Sequence, residues 1–245
     1  MMTQISNGLE GCGIIYVATG KKFIQMAMQS ARSCREFLPE IKIHLFADWK
    51  SLGFHFETNC QPFTSVFNIE KPHSRSKIDY MPLTPFDRTL FLDADTYALG
   101  EISDLFDLLD KFDMALSHAH LRASRLKTWK TVIPESYPQF NSGVVLYKKT
   151  QEVIKILNDW KIAYEQAGFD TDQVTLRELL WSSTIRLATL PPEYNIGNIK
   201  YFFTWNKREV QPKILHLHFH RKKLLTCWLP FIKFLVKNWN FKLYP

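Results

Sequence analysis

Asp93 and Asp95 flank Ala94 directly after the apolar run Arg88-Thr89-Leu90-Phe91-Leu92. The run has the make-up of a buried strand, so the acids fall just past its carboxyl end, where open α/β sheets form their ligand crevices. In extended chain, residues i and i+2 point the same way, and both carboxylates reach one cation. A divalent ion held there bridges the phosphates of a nucleotide and offsets the charge of a leaving group. An Asp-x-Asp triplet alone is a weak signal. Asp170-Thr171-Asp172 is a second one in this chain, and its acids also suit plain helix N-caps. The strand-end position sets the first triplet apart.

Other residues with chemistry to offer are spread along the chain. His216, His218 and His220 alternate through a strand expected from Ile214 to Phe219, which puts them on one face. A single histidine is more often structural, but three beside a carboxylate pair are candidate metal ligands. Lys77 offers a positive charge upstream of the acids. Asn141-Ser142-Gly143 reads either as a tight entry into a strand, since Asn and Gly serve turns, or as part of a site. Phe23 offers an aromatic face that either fills core or stacks on a base.

The elements that must position these residues alternate between strand and helix. Ile14–Ala18 reads as a first buried strand, followed after Thr19-Gly20 by a helix with Phe23, Ala27, Ser30 and Cys34 at helical spacing. Ile41–Ala47 and Phe63–Phe67 read as strands, Arg75–Leu83 as a helix closed by Pro85, and Arg88–Leu92 as a strand. A helix over Ile102–Leu109 and a short strand over Asp113–Leu116 follow. From Ser117 to Gln139 the pattern breaks into polar and basic residues, including Arg122, Arg125, Lys127, Trp129 and Lys130. A connection this long in a compact domain is usually functional or mobile, and these basic residues read chiefly as a solvated loop. Ser142–Tyr147 resumes as a strand. Val153, Ile156, Leu157, Trp160 and Tyr164 mark one face of a long helix, Asp172–Trp181 is another, and Ile185–Leu187 is a strand. The expected fold is α/β, a mostly parallel sheet with helices on both faces, in one domain spanning residues 1–245.

Composition narrows the class. At 245 residues and 46% hydrophobic the chain buries a full α/β core. A formal charge of +7 suits an anionic partner such as a nucleotide, a phosphate or a membrane surface. The basic residues are dispersed and no nucleic-acid-binding motif is present, so nucleic acid is not an expected partner. Cys12, Cys34, Cys60 and Cys227 form no C-x-x-C pair and are expected as free thiols in a reducing compartment. Met1–Gly11 is polar and lacks Lys and Arg, unlike a secretory signal. A cytoplasmic location is expected.

Taken in order, Lys77, Asp93-Ala94-Asp95, Phe140-Asn141-Ser142-Gly143-Val144, Asp170-Thr171-Asp172-Gln173, Leu190-Pro191-Pro192-Glu193-Tyr194-Asn195 and the His-bearing strand resemble glycosyltransferase family 8. These are retaining sugar-nucleotide transferases of the glycogenin and lipopolysaccharide galactosyltransferase type, and the likeness runs from Gly13 to about Lys222. The resemblance implies a GT-A fold, a Mn(II) cofactor, with Mg(II) as the other candidate, and a UDP-hexose donor. It implies that Asp93, Asp95 and His216 ligate the metal, with His218 as the alternative to His216. Val17, Ala18 and Thr19 correspond to the strand end that contacts uracil. Phe23 stands where the family has a Tyr stacked on the base, and Ala94 lies within the acidic motif. Lys77, 16 residues before Asp93, corresponds to a donor-contacting Lys. Asn141 corresponds to an Asn near the donor sugar, and Asp172 and Gln173 to the pair beside the anomeric carbon. Asn195 corresponds to the Asn of the Leu-Pro-x-x-Tyr-Asn motif, and Lys222 to a Lys that holds the β-phosphate. The family usually carries His-Phe-x-Gly here, whereas this chain reads His216-Leu217-His218-Phe219.

The expected activity is transfer of a hexose to an acceptor hydroxyl, on a glycan, a lipid-linked sugar or a small molecule, with retention of configuration. Rival readings are a catalytically silent protein of the same fold and a sugar-nucleotide pyrophosphorylase. The pyrophosphorylase reading calls for a richer Gly and basic loop than Gly20-Lys21-Lys22. The tail, residues 224–245, reads as a helix that packs on the sheet. Its Trp228, Phe231, Phe234 and Trp239 among lysines also suit peripheral contact with an anionic membrane.

Overall fold

The computed structural model describes residues 9–119, 127–198, 201, 205 and 210–216. Its strands are β1 (Cys12–Ala18), β2 (Lys42–Ala47), β3 (Ser65–Asn68), β4 (Arg88–Leu92), β5 (Thr96–Ala98), β6 (Met114–His118), β7 (Phe140–Lys148), β8 (Leu187–Leu190) and β9 (Ile214–His216). Its helices are α1 (Lys21–Phe37), α2 (Lys77–Tyr80), α3 (Leu105–Leu108), α4 (Gln151–Ala167) and α5 (Gln173–Ser182).

Among the described residues seven strands form one sheet in the order β3-β2-β1-β4-β7-β6-β8. All neighbours are parallel except β7, which runs antiparallel to both β4 and β6. The mostly parallel sheet expected from the alternating pattern is therefore present. Side-chain alternation decides which helices cover which face. Ile14, Tyr16 and Ala18 of β1 and Leu90 and Leu92 of β4 pack with Ile24, Ala27, Ala31 and Cys34 of α1 and with Leu105 and Phe106 of α3. Ile15, Phe91, Val145 and Tyr147 face the other way, onto Ile78 of α2, Val153, Leu157 and Trp160 of α4, and Leu176 and Leu180 of α5. Helices cover both faces.

Several boundaries differ from expectation for identifiable reasons. The helix expected from Ile102 begins only at Leu105, because the Glu101 carboxylate accepts the backbone N–H groups of Ile102 and Ser103 and makes a turn there. The last sheet strand is Leu187–Leu190 rather than Ile185–Leu187. Arg186 is held in place by Asp113, which takes its backbone N–H and its guanidinium, so pairing with β6 starts at Leu187. Phe63 is buried but precedes β3, which covers Ser65–Asn68. The Asn141-Ser142-Gly143 segment lies inside β7 and is not a turn.

The largest departure is the place of the His-bearing strand. β9 pairs with β5, a three-residue strand that the sequence pattern does not announce, in a separate antiparallel ribbon with Thr96 opposite His216. On its other side Ile196 exchanges backbone bonds with Ile214 and His216. The ribbon is also tied to α1, where Ser30 Oγ bonds Thr96 Oγ1 at 2.8 Å and Ser33 Oγ accepts the Ala98 N–H at 2.9 Å.

The long connection after β6 is anchored where it is described. Arg177, 1% exposed, donates to the carbonyls of Pro134 and Tyr137, and Glu178 accepts the N–H groups of Trp129 and Lys130. Lys127 and Lys130 are exposed, as a solvated loop requires. Arg122, Arg125, Lys222, His218, His220, Cys227 and the tail lie outside the described residues. Cys12, Cys34 and Cys60 are free thiols. Among the described residues no helix is long and apolar enough to cross a membrane.

Candidate functional site

Asp93 continues the β4–β7 ladder by one rung, its N–H bonded to the Gly143 carbonyl at 2.8 Å. The chain then turns back, since the N–H and hydroxyl of Thr96 both bond the Asp93 carbonyl. That turn gives the acids the strand-end position expected of them. The β5–β9 pairing brings His216 over Asp95. His216 Nε2 lies 3.3 Å from Asp95 Oδ1 and 3.7 Å from Asp93 Oδ2. Asp93, Asp95 and His216 each offer one ligand atom, all within 4.8 Å of one another, and they are the residues among those described that could hold a metal ion.

Gly143 explains how the imidazole fits. A Cβ at this position would lie 2.0 Å from His216 Cε1 and 2.8 Å from Asp93 Oδ2. Gly in the middle of a strand marks a close approach, and here what approaches is the candidate ligand.

On the α2 and α5 side of the acids sits a buried charge network. Lys77 Nζ lies 3.2 Å from both Asp93 oxygens, 3.0 Å from Ser142 Oγ and 3.4 Å from Asp172 Oδ2. Ser142 Oγ donates to Asp172 Oδ2 at 2.8 Å, and Arg75 Nη1 stands 3.9 Å from Asp172 Oδ1. Asp172 precedes α5 but makes no side-chain capping bond. The bland reading of this acid as an N-cap is thereby replaced by a place in the network. Its position is fixed from behind by Trp160, whose indole N–H donates to the Asp172 carbonyl at 2.8 Å. Gln173 accepts from Gln139 Nε2 at 3.1 Å.

Burial pushes the Asp172 carboxyl up, but Lys77, Arg75 and the Ser142 hydroxyl outweigh it and hold the group below the ordinary aspartate value. For Lys77, burial favours the neutral amine, and Asp172 and Asp93 overcome it to keep the ammonium. Burial also opposes charge on His216, and Asp95 and Asp93 raise it above the ordinary imidazole value. An acid whose folded pKa is depressed contributes stability that is present above its unfolded value and lost as pH falls through the folded one. Asp172→Asn is therefore expected to cost about 2 kcal/mol at neutral pH, the scale of a charge-assisted hydrogen bond. It should also flatten the loss of stability below about pH 4. Urea unfolding of both proteins across that range checks it. Parallel curves for the two proteins contradict the network.

The other expected residues distribute as follows. Val17 and Ala18 end β1 and Thr19 follows it, at the same end of the sheet as the acids, because Ile15 pairs with Phe91 in parallel. Gly20, at φ 89, follows, with its N–H held by Asp48 at 2.8 Å. Phe23 is 39% exposed. Ala94 is buried. Asn141 and Asn195, expected beside the donor, are 3% and 0% exposed and bond each other at 3.0 Å. Asn195 Oδ1 lies 2.8 Å from His216 Nδ1. Residues of the site that are not among its individually expected members are Arg75, Ser142, Gly143, Gln139 and Trp160. Only Ser142 and Gly143 carried a signal, through their place in the Phe140–Val144 motif.

No family model matches the chain. Glycogenin-1 from Homo sapiens is 32% identical over 130 residues, covering 52% of this chain and 32% of that protein. The chain thus matches about a third of the length of this curated relative. The glycosyltransferase GlyE of Streptococcus pneumoniae TIGR4 superposes with a TM-score of 0.61 at 16% identity, over 84% of this chain and 54% of that one. The galactosyltransferase LgtC, solved with donor and acceptor sugar analogues, gives 0.57 at 15% identity over 95% of this chain and 97% of that one. The chain has the GT-A fold of these glycosyltransferases, and the likeness to glycosyltransferase family 8 carried by its motifs holds in both sequence and fold.

Proposed function

We propose that the protein is a metal-dependent glycosyltransferase that moves a hexose from a UDP-sugar to an acceptor hydroxyl with retention. The observation that carries this reading is the convergence of Asp93, Asp95 and His216 within 4.8 Å, beside the Lys77–Asp172 network at the strand-end edge of a GT-A sheet. Two carboxylates and an imidazole form a mixed oxygen and nitrogen set that accommodates Mn(II), and suits Mg(II) less well because of its preference for oxygen. Such an ion, when bound, supplies Lewis-acid stabilisation of a departing diphosphate.

The chain's own residues do the rest. Lys77, kept cationic by its two carboxylates, places fixed positive charge where a leaving group develops negative charge. Asp172, kept ionised, presents its carboxylate toward the donor sugar and supports positive character at the anomeric carbon. Phe23 and the Val17-Ala18-Thr19 edge receive the base, and Gln173, steadied by Gln139, lies beside Asp172. The acceptor is a glycan, a lipid-linked sugar or a small molecule, and the setting is cytoplasmic.

Incubation with UDP-glucose or UDP-galactose and Mn(II) in water tests the reading, since a transferase releases UDP slowly by donor hydrolysis. A catalytically silent protein releases none, and a pyrophosphorylase acts only when pyrophosphate is added. With an acceptor in hand, the first-formed product should keep the donor's α configuration, read by proton NMR from the anomeric coupling. A β product would overturn retention.

A further inference from the structure

The hydrogen bonds behind His216 have only one consistent direction. The Gly143 backbone N–H lies 2.9 Å from one atom of the Asn141 amide. A backbone N–H can only donate, so that atom is the oxygen. The Asn195 atom 3.0 Å from the same oxygen must then be its amino nitrogen. This leaves the Asn195 oxygen facing His216 Nδ1 at 2.8 Å, and an oxygen without hydrogens requires Nδ1 to carry one. Nδ1 therefore carries a proton in either charge state of the ring, and once the imidazole is neutral its single N–H stays there and leaves the Nε2 lone pair facing Asp95 Oδ1 and Asp93 Oδ2. Both amides and the imidazole are at most 3% exposed, so water does not offer them alternative partners.

We propose that Asn141 and Asn195 are positioning residues: they hold His216 as the Nδ1–H tautomer and turn Nε2 into a ready ligand. This rests on the metal reading of the site. It assigns the two asparagines work behind the ligand shell. It also explains how Nε2 of a buried imidazole comes to face two carboxylate oxygens. Three electron-rich atoms repel one another unless a proton or a metal ion sits among them, and the relay keeps the third one pointed inward. Partners of this kind on the far ring nitrogen are worth about 10–100-fold in metal affinity.

The test uses the whole metal-free protein with ¹⁵N-labelled histidine, at a pH high enough for neutral imidazole. His216 is assigned by its absence in His216→Ala. Wild type should show a protonated Nδ1 and a bare Nε2. Asn141→Asp, which still accepts from Gly143 and Asn195, should keep that tautomer. Asn195→Ala should move the proton to Nε2, toward Asp95, and weaken Mn(II) binding by calorimetry about 10–100-fold. Should Asn195→Ala fail to fold, Asn141→Ala releases the relay at its upstream end and should give mixed tautomers. A wild-type His216 protonated on Nε2, or variants with unchanged tautomer and affinity, would overturn the proposal. A wild-type Nδ1–H tautomer without Mn(II) binding would remove the metal reading and leave the relay standing.

Discussion

Asp95→Asn is expected to abolish the dependence of UDP binding on Mn(II) and to lower donor hydrolysis about a thousand-fold. That factor corresponds to about 4 kcal/mol of transition-state stabilisation, within the several kcal/mol that a bound divalent ion supplies. Asp95 Oδ1 lies 3.3 Å from His216 Nε2, within the group of three ligand atoms that would hold the ion. An amide retains the shape and one oxygen but loses the charge that makes the seat attractive to a hard cation. Calorimetry with UDP, with and without Mn(II), reads the first effect, and UDP release reads the second. Thermal unfolding serves as the control that the variant is folded. Equal UDP affinity with and without metal in wild type, or an Asp95→Asn protein that behaves as wild type, would remove the metal assignment.

Gly143→Ala is expected to cost about 3 kcal/mol, at the upper end for overpacking a rigid interior. That should lower the melting temperature by roughly 6–12 °C in a domain of this size. The added methyl is directed at the ring of His216 and an Asp93 oxygen, on a strand bonded along both edges. Either β7 shifts or the imidazole leaves, and metal binding is lost in both cases. The double variant Gly143→Ala, His216→Ala separates the causes. If the clash with the ring is responsible, the second change recovers a good part of the stability without recovering metal binding, a coupling characteristic of residues in contact. A single variant with native melting temperature and native Mn(II) affinity would show that the strand yields freely and that the Gly has no such purpose.

What the sequence made legible follows from how local each signal is. Arg88–Leu92 is bounded identically in pattern and structure because an uninterrupted apolar run followed by Asp leaves no choice of end. The long helix bearing Val153, Ile156, Leu157 and Trp160 was readable from its period, and those four residues are buried together in the structure. Lys77 stands out through the family resemblance alone, and the structure seats it between Asp93 and Asp172. β5 was not legible. Three residues, Thr96-Tyr97-Ala98, carry no period, and only their distant partner β9 makes them a strand. The histidine strand was recognised but its neighbour was not, since pairing is a property of two segments and alternation a property of one. The direction of the Asn141–Asn195 bonds, the use of Gly143 inside a strand and the indole support from Trp160 all depend on which atoms meet across the fold. No spacing in the chain encodes that.

The hydroxyls of α1 that reach the ribbon have a consequence for fidelity of assembly. A strand of three residues pairs with little to prevent it from sliding by one, and one step would carry His216 to the opposite face, away from both acids. Ser30 and Ser33 lie one turn apart on α1 and engage Thr96 and Ala98, two residues apart on β5. They act like two teeth of a key, since a slipped strand meets them with Tyr97 instead. Tyr16 Oη backs the first tooth at 2.9 Å from Ser30 Oγ. The alignment of a candidate metal centre is thus set by the inward face of a helix, α1, that contributes no ligand to it. Substitutions at Ser30, Ser33 or Tyr16 would lower the fraction of correctly built sites while leaving each correctly built site unaltered.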